Sequence, residues 1–234
     1  MPRSWSVYDF ILIWFGGLAG TGIFFALGVT VGEEDWTTVL ALAGQYVGSL
    51  GVFWILTRYK DVGEIGLTIN PGDIFYVGLG LVLQIALALV FYPLSNLLFP
   101  DGRPQQEVAE VIANADTTFL RVALVSAAVV LGPFTEELMY RGVLLKAFEA
   151  RGRIFALIVS SLVFAAVHLT GLDTSQLIAS AVVFLPPLFL LGLVLAWLTQ
   201  RTGRLGPAIF LHSGWNLLSA FVLLLPTEIL EQVS

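Results

Sequence analysis

Apolar residues in this chain fall into long runs near residues 9–31, 36–57, 74–99, 119–149, 153–170, 177–199 and 205–225, broken by short polar stretches. A helix rises about 1.5 Å per residue, so runs of about 20 residues can cross the roughly 30 Å of hydrocarbon in a bilayer. The pattern predicts an all-α protein, a polytopic transmembrane helix bundle of about seven spans, forming a single integral membrane domain over residues 1–234. The first run is too long for the apolar part of a signal peptide and has no clear A-x-A site before a soluble domain, so it is expected to be the first span. Pro186 and Pro187 predict a kink in the sixth.

Composition narrows the function classes. The chain is 57% hydrophobic and 12% charged, with a mean hydropathy of +0.89. Its net charge of −6 comes mostly from loops, and no basic face or RNA-binding motif is present, so no nucleic-acid partner is expected. The absence of cysteine excludes disulfides, thiolate catalysis and Cys-bound metal. With a cytoplasmic N-terminus, Arg3, Arg58, Lys60, Arg141, Lys146, Arg151, Arg153, Arg201 and Arg204 fall toward the inside, and only Arg103 and Arg121 lie outside. That bias predicts a cytoplasmic N-terminus, with Glu33, Glu34, Asp35, the stretch 101–118 and the C-terminal "TEILEQVS" on the other side.

A few charges do not belong to loops. In "GPFTEELMYRG", Glu137 and Arg141 are four residues apart and share a helix face, so they are expected to pair. Glu136, rotated by about 100°, is left available. Pro133 suggests a break, with Thr135 capping a new helix and the two acids at its positive end. A cap and salt bridge at a membrane edge would account for this stretch alone.

The chain's two histidines, His168 and His212, both lie within apolar runs. Phe164 precedes His168 by four residues, and Asn216 follows His212 by four, so each histidine shares a face with a definite neighbour. Taken singly, a core histidine and an interhelical asparagine are ordinary in membrane helices. Measured from the basic helix ends, Glu136 is about 20 Å deep, His168 about 22 Å and His212 about 12 Å, which lets them meet if a helix tilts or kinks.

The ordered motifs "EELMYRG", "FAAVH" and "HSGWN" on successive helices resemble the CAAX protease and bacteriocin-processing family of intramembrane endopeptidases, over a core of about residues 131–218. The resemblance implies hydrolysis of peptide bonds in membrane-associated or prenylated (CAAX-type) proteins or peptides, within the lipid bilayer. It assigns Glu136 to activating water, His168 to positioning it, and His212 and Asn216 to donating N–H groups to the oxyanion, with Arg141 holding Glu137. No cofactor is assigned, although the family that the chain resembles is often described as metalloproteases. Two histidines and a glutamate are also zinc-ligand types, so a divalent metal such as zinc stays open, although no H-E-x-x-H is present. If Glu136 were a ligand, Glu137 would have to act as base, against its pairing with Arg141, so the metal-free route is preferred. A non-catalytic scaffold or peptide-binding immunity protein on the same fold is the alternative. A proton-coupled transporter or haem protein would also keep such residues in its core.

Overall fold

The computed structural model describes residues 3–32, 34–100, 111–113, 115, 117–172 and 176–224, and every described residue in a regular element is helical. Glu33, the side chains of Glu34 and Asp35, most of the stretch 101–118 including Arg103, and the C-terminal "TEILEQVS" lie outside the described residues.

Helices α1 (Val7–Val31) and α2 (Glu34–Leu56) form an antiparallel hairpin. Their contact is built on glycine. A Cβ added at Gly20 would run into the Gly44 carbonyl, and one at Gly48 into the Gly16 carbonyl. Lipid tails are as apolar as leucine, so membrane helices gain little by hiding apolar side chains and associate instead through close packing of small residues. Gly20→Val is expected to force the pair apart, at roughly 1–3 kcal/mol, and to lower the melting temperature of the detergent-solubilised protein. Gly22, where an added Cβ meets nothing, is the control: Gly22→Ala should leave that temperature unchanged or raise it.

A single 3₁₀ turn (Pro71–Ile74) leads into α3 (Phe75–Leu98), followed by the long α4 (Thr118–Glu149), α5 (Arg153–Val167), α6 (Leu177–Thr202) and α7 (Gly206–Leu223). The protein is thus an all-α membrane bundle, with a core of Ile13, Ile65, Leu138, Val143, Phe164 and Leu191 gathered around α4. Among the described residues six helices are long and apolar enough to cross a membrane, one fewer than the run count predicts. The missing one is α7. It forms as a helix, but His212, Ser213 and Asn216 dilute its apolar character, and His212 is buried against protein.

The break expected at Pro133 does not occur. No helix begins at Pro133; α4 continues through it, and Thr135 is buried with an unpartnered hydroxyl instead of capping. The reason is local. Residues Ala127–Leu131 are π-helical, and the Gly132 N–H reaches back five residues to the Ala127 carbonyl, so the wider turn accepts the proline ring without ending the helix. In α6, one helix spans both Pro186 and Pro187.

α7 is seated on α3 by reciprocal glycines: a Cβ at Gly80 would meet the Leu211 carbonyl, and one at Gly214 would meet the Val77 carbonyl. At the start of α7, Arg204 grips Asp73 through two bonds of 2.9 and 3.0 Å. The hydrogen bonds that Arg204 donates to Asp73 hold its guanidinium above the ordinary pKa, so this clamp stays charged. Both contacts fix the height at which His212 enters the bundle.

Candidate active site

The two glutamates sit on a short α-helical piece of α4, Gly132–Glu137, between the π-helical stretches Ala127–Leu131 and Leu138–Leu144. Their environments diverge. Glu137 has a fully buried side chain, and its Oε1 accepts from Arg141 Nη1 at 3.0 Å and from His212 Nδ1 at 2.9 Å. Arg141 is equally buried. It donates through Nη2 to the Gly192 carbonyl of α6 at 3.3 Å, and its Cζ lies 4.3 Å from the Phe164 ring centre. The four-residue spacing thus produces the expected pair, and α5, α6 and α7 close around it.

Glu136 keeps 33% of its side chain exposed. Its Oε2 points inward without a hydrogen-bond partner, 3.9 Å from His212 Nε2. His212 therefore stands between the two carboxylates. A carboxylate oxygen only accepts, so His212 donates Nδ1–H to Glu137, while its Nε2 lies beyond hydrogen-bond distance of Glu136.

His168 is oriented in the same sense by other means. At the end of α5 the chain tightens to a 3₁₀ turn, and the His168 backbone N–H turns to the Ala165 carbonyl. The ring Nδ1 donates instead to the Phe164 carbonyl at 2.8 Å, leaving Nε2 as an acceptor. The Phe164 ring meets both histidines near edge-on, its centre 4.9 Å from that of His168 and 5.6 Å from that of His212.

Asn216, one turn beyond His212, points elsewhere. Its Nδ2 donates to the Ala128 carbonyl at 2.8 Å. In a π turn that carbonyl would accept from the residue five ahead, which is Pro133 and has no N–H. Asn216 satisfies the orphaned carbonyl and ties α7 to α4 just ahead of the glutamates. One N–H of the amide that the resemblance assigns to an oxyanion is thus engaged by backbone, and its second N–H is left over.

The spacing of motifs gave no warning of either π stretch, of the Gly192 carbonyl or of Tyr46. Tyr46 lies on α2, far outside the motifs, yet its Oη and Glu136 Oε1 lie 3.4 and 3.9 Å from the place a Cβ on Gly132 would take. Its only sequence signal is a lone hydroxyl in an apolar run, which is too common to point to chemistry.

Among the described residues no three His, Cys, Asp or Glu side chains gather as a metal-binding group. His212 Nδ1 and Glu137 Oε1 face one another, and the Phe164 ring packs against both histidines. Glu136, His168 and His212 therefore do not gather as the three protein ligands of a zinc centre.

Comparison with known proteins agrees with the motifs. Residues 118–218 match the family described as type II CAAX prenyl endopeptidase Rce1-like. A protein of Escherichia coli, described as an uncharacterized 24.3 kDa protein, is 29% identical over 196 residues, covering 82% of this chain and 73% of its own. No solved structure matches.

Proposed function

We propose that this integral membrane protein, whose residues 118–218 belong to the Rce1-like CAAX prenyl endopeptidases, is an intramembrane endopeptidase in which Glu136 activates water. One observation carries this assignment of roles: of two adjacent carboxylates, Glu137 is sealed and doubly hydrogen-bonded while Glu136 is partly open and unpartnered. A general base must reach its proton, and of the two side chains only that of Glu136 is partly exposed.

In the proposed reaction Glu136 takes a proton from water as the oxygen adds to the scissile carbonyl carbon, and the C=O electron pair moves to oxygen. The Nε2 acceptor of His168 helps hold that water. When the tetrahedral intermediate collapses, the C–N bond breaks and the proton on Glu136 passes to the leaving nitrogen. Arg141 and Glu137 do not meet the substrate; they fix His212 and the α4 backbone. Because Glu136, His168 and His212 do not gather as metal ligands, no step is drawn through a metal.

The substrates are proposed to be peptide bonds of membrane-associated proteins or peptides, including prenylated CAAX-type chains, with the N-terminus of the protein in the cytoplasm. New peptide termini, compared by mass spectrometry in membranes with and without the purified protein, test this. Processing is expected to survive phenanthroline treatment in a preparation verified to be metal-free. Loss of activity on chelation with recovery on adding zinc would refute the metal-free route, and identical termini with and without the protein would refute the protease.

A further inference from the structure

Several cations at the basic end of the bundle are answered by a carboxylate: Lys60 by Asp9, Lys146 by Glu149 and Arg204 by Asp73. Arg151 and Arg153, in the turn between α4 and α5 and at the start of α5, are not. Among the described residues neither makes an ion pair. The Arg151 guanidinium stands 5.5 Å from the Phe148 ring centre, and Arg153 Nη2 donates to the Gln200 carbonyl at 3.0 Å. Glu149, two residues before Arg151, is already taken by Lys146.

Both arginines line an open groove of about 660 Å³ where the start of α5 meets the end of α6. No acid lines it, and its other side chains are apolar except for Gln200. Ile154 and Trp197 are exposed there. The floor is fixed by a reciprocal pair, because Gln200 Nε2 also donates to the Arg153 carbonyl at 3.0 Å. That pair spends one of the five N–H donors of the Arg153 guanidinium. The rest are open to a ligand.

Polarity changes along the groove in the direction of the bundle axis. The arginines are at its mouth, Leu157 is one turn deeper along α5, and Trp197 is one turn before Arg201 near the end of α6. A cationic mouth over an apolar wall bearing tryptophan matches the level at which a bilayer changes from headgroups to acyl chains.

We propose that this groove binds one anionic phospholipid, its phosphate held between Arg151 and Arg153 and an acyl chain laid along Ile154, Leu157 and Trp197. Two guanidiniums with no carboxylate between them complement a phosphodiester, and each planar fork can meet two of its oxygens. A zwitterionic headgroup would bring its own cation to the same place. The groove is as large as sites that enclose a whole small ligand, so it has room for a headgroup and the first part of a chain. The proposal needs only that the protein lie in a bilayer, and stands apart from the protease reading.

The test uses the full-length protein in neutral detergent. Phosphatidylglycerol and phosphatidylcholine with identical chains are added, and native mass spectrometry counts the lipids bound. The parent is expected to hold one phosphatidylglycerol about 10-fold more tightly than phosphatidylcholine. Excess glycerol phosphate, which has a phosphate but no chains, should not displace it. Arg151→Gln combined with Arg153→Gln should abolish the preference. If that protein does not fold, because Arg153 also holds Gln200, Arg151→Gln alone carries the test, with an expected loss of about fivefold. Arg58→Gln removes an exposed cation from the same end of the bundle but from outside the groove, and should leave the preference unchanged. Equal affinity for the two lipids would overturn the proposal, as would a parental preference in the arginine variants. Displacement by glycerol phosphate would replace the lipid with a soluble phosphate ligand, and an equal loss in Arg58→Gln would replace the site with diffuse surface charge; either result overturns it too.

Discussion

Glu136→Gln is expected to lower turnover by a factor of about 100 or more while leaving the fold intact. The amide keeps the shape of the side chain and removes the proton acceptor. Nothing structural should follow, because the Glu136 side chain is one-third exposed and its inward oxygen holds no hydrogen bond. Melting temperature and peptide cleavage, measured on the same preparation, separate the two effects. A Glu136→Gln protein that cuts at the parental rate would remove the catalytic assignment and favour the scaffold or peptide-binding alternative.

The largest effect on stability is expected at Arg141. Its side chain has no exposure, and it holds together Glu137, the Gly192 carbonyl and the face of Phe164, which come from α4, α6 and α5. Arg141→Ala would strand the Glu137 carboxylate in a site without water, leaving only His212 to face it. The expected loss is about 3–5 kcal/mol, read by thermal or denaturant unfolding in detergent, with activity lost alongside. Arg141→Lys should recover part of this, since an ammonium can pair with Glu137 but lacks the planar fork that reaches Gly192 as well. Glu137→Gln combined with Arg141→Met should be less damaging than the sum of the single changes, because no charge is left unpaired. An Arg141→Ala protein as stable as the parent would contradict the bridging role.

The two glutamates illustrate what spacing can and cannot tell. A four-residue interval is enough to pair Glu137 with Arg141, because both residues belong to one helix and its geometry is local. Which histidine meets which carboxylate is not local. Helix lengths alone put Glu136 and His212 at different depths, yet the packing of α7 on α3 and the Asp73–Arg204 clamp bring His212 within 3.9 Å of Glu136. The fold class was legible for the same reason that the helix partners were not. A bilayer requires each span to satisfy its own backbone and show apolar side chains to lipid, which writes the spans into the hydropathy pattern. α7 escaped that rule because His212 is buried against protein and Asn216 bonds to the α4 backbone.

By itself the sequence determined an all-α membrane bundle, the six polar residues of the three motifs and the Glu137–Arg141 pair, since each depends on composition or on spacing along one helix. Tertiary structure alone decided that His212 bridges the two glutamates and that Asn216 caps the carbonyl Pro133 leaves free. It also decided that Tyr46 comes to Gly132 and that Pro133 is absorbed by a π turn instead of ending a helix. These depend on how separate helices are set against one another, by glycine contacts and buried hydrogen bonds between residues distant in the chain, and no local periodicity encodes that.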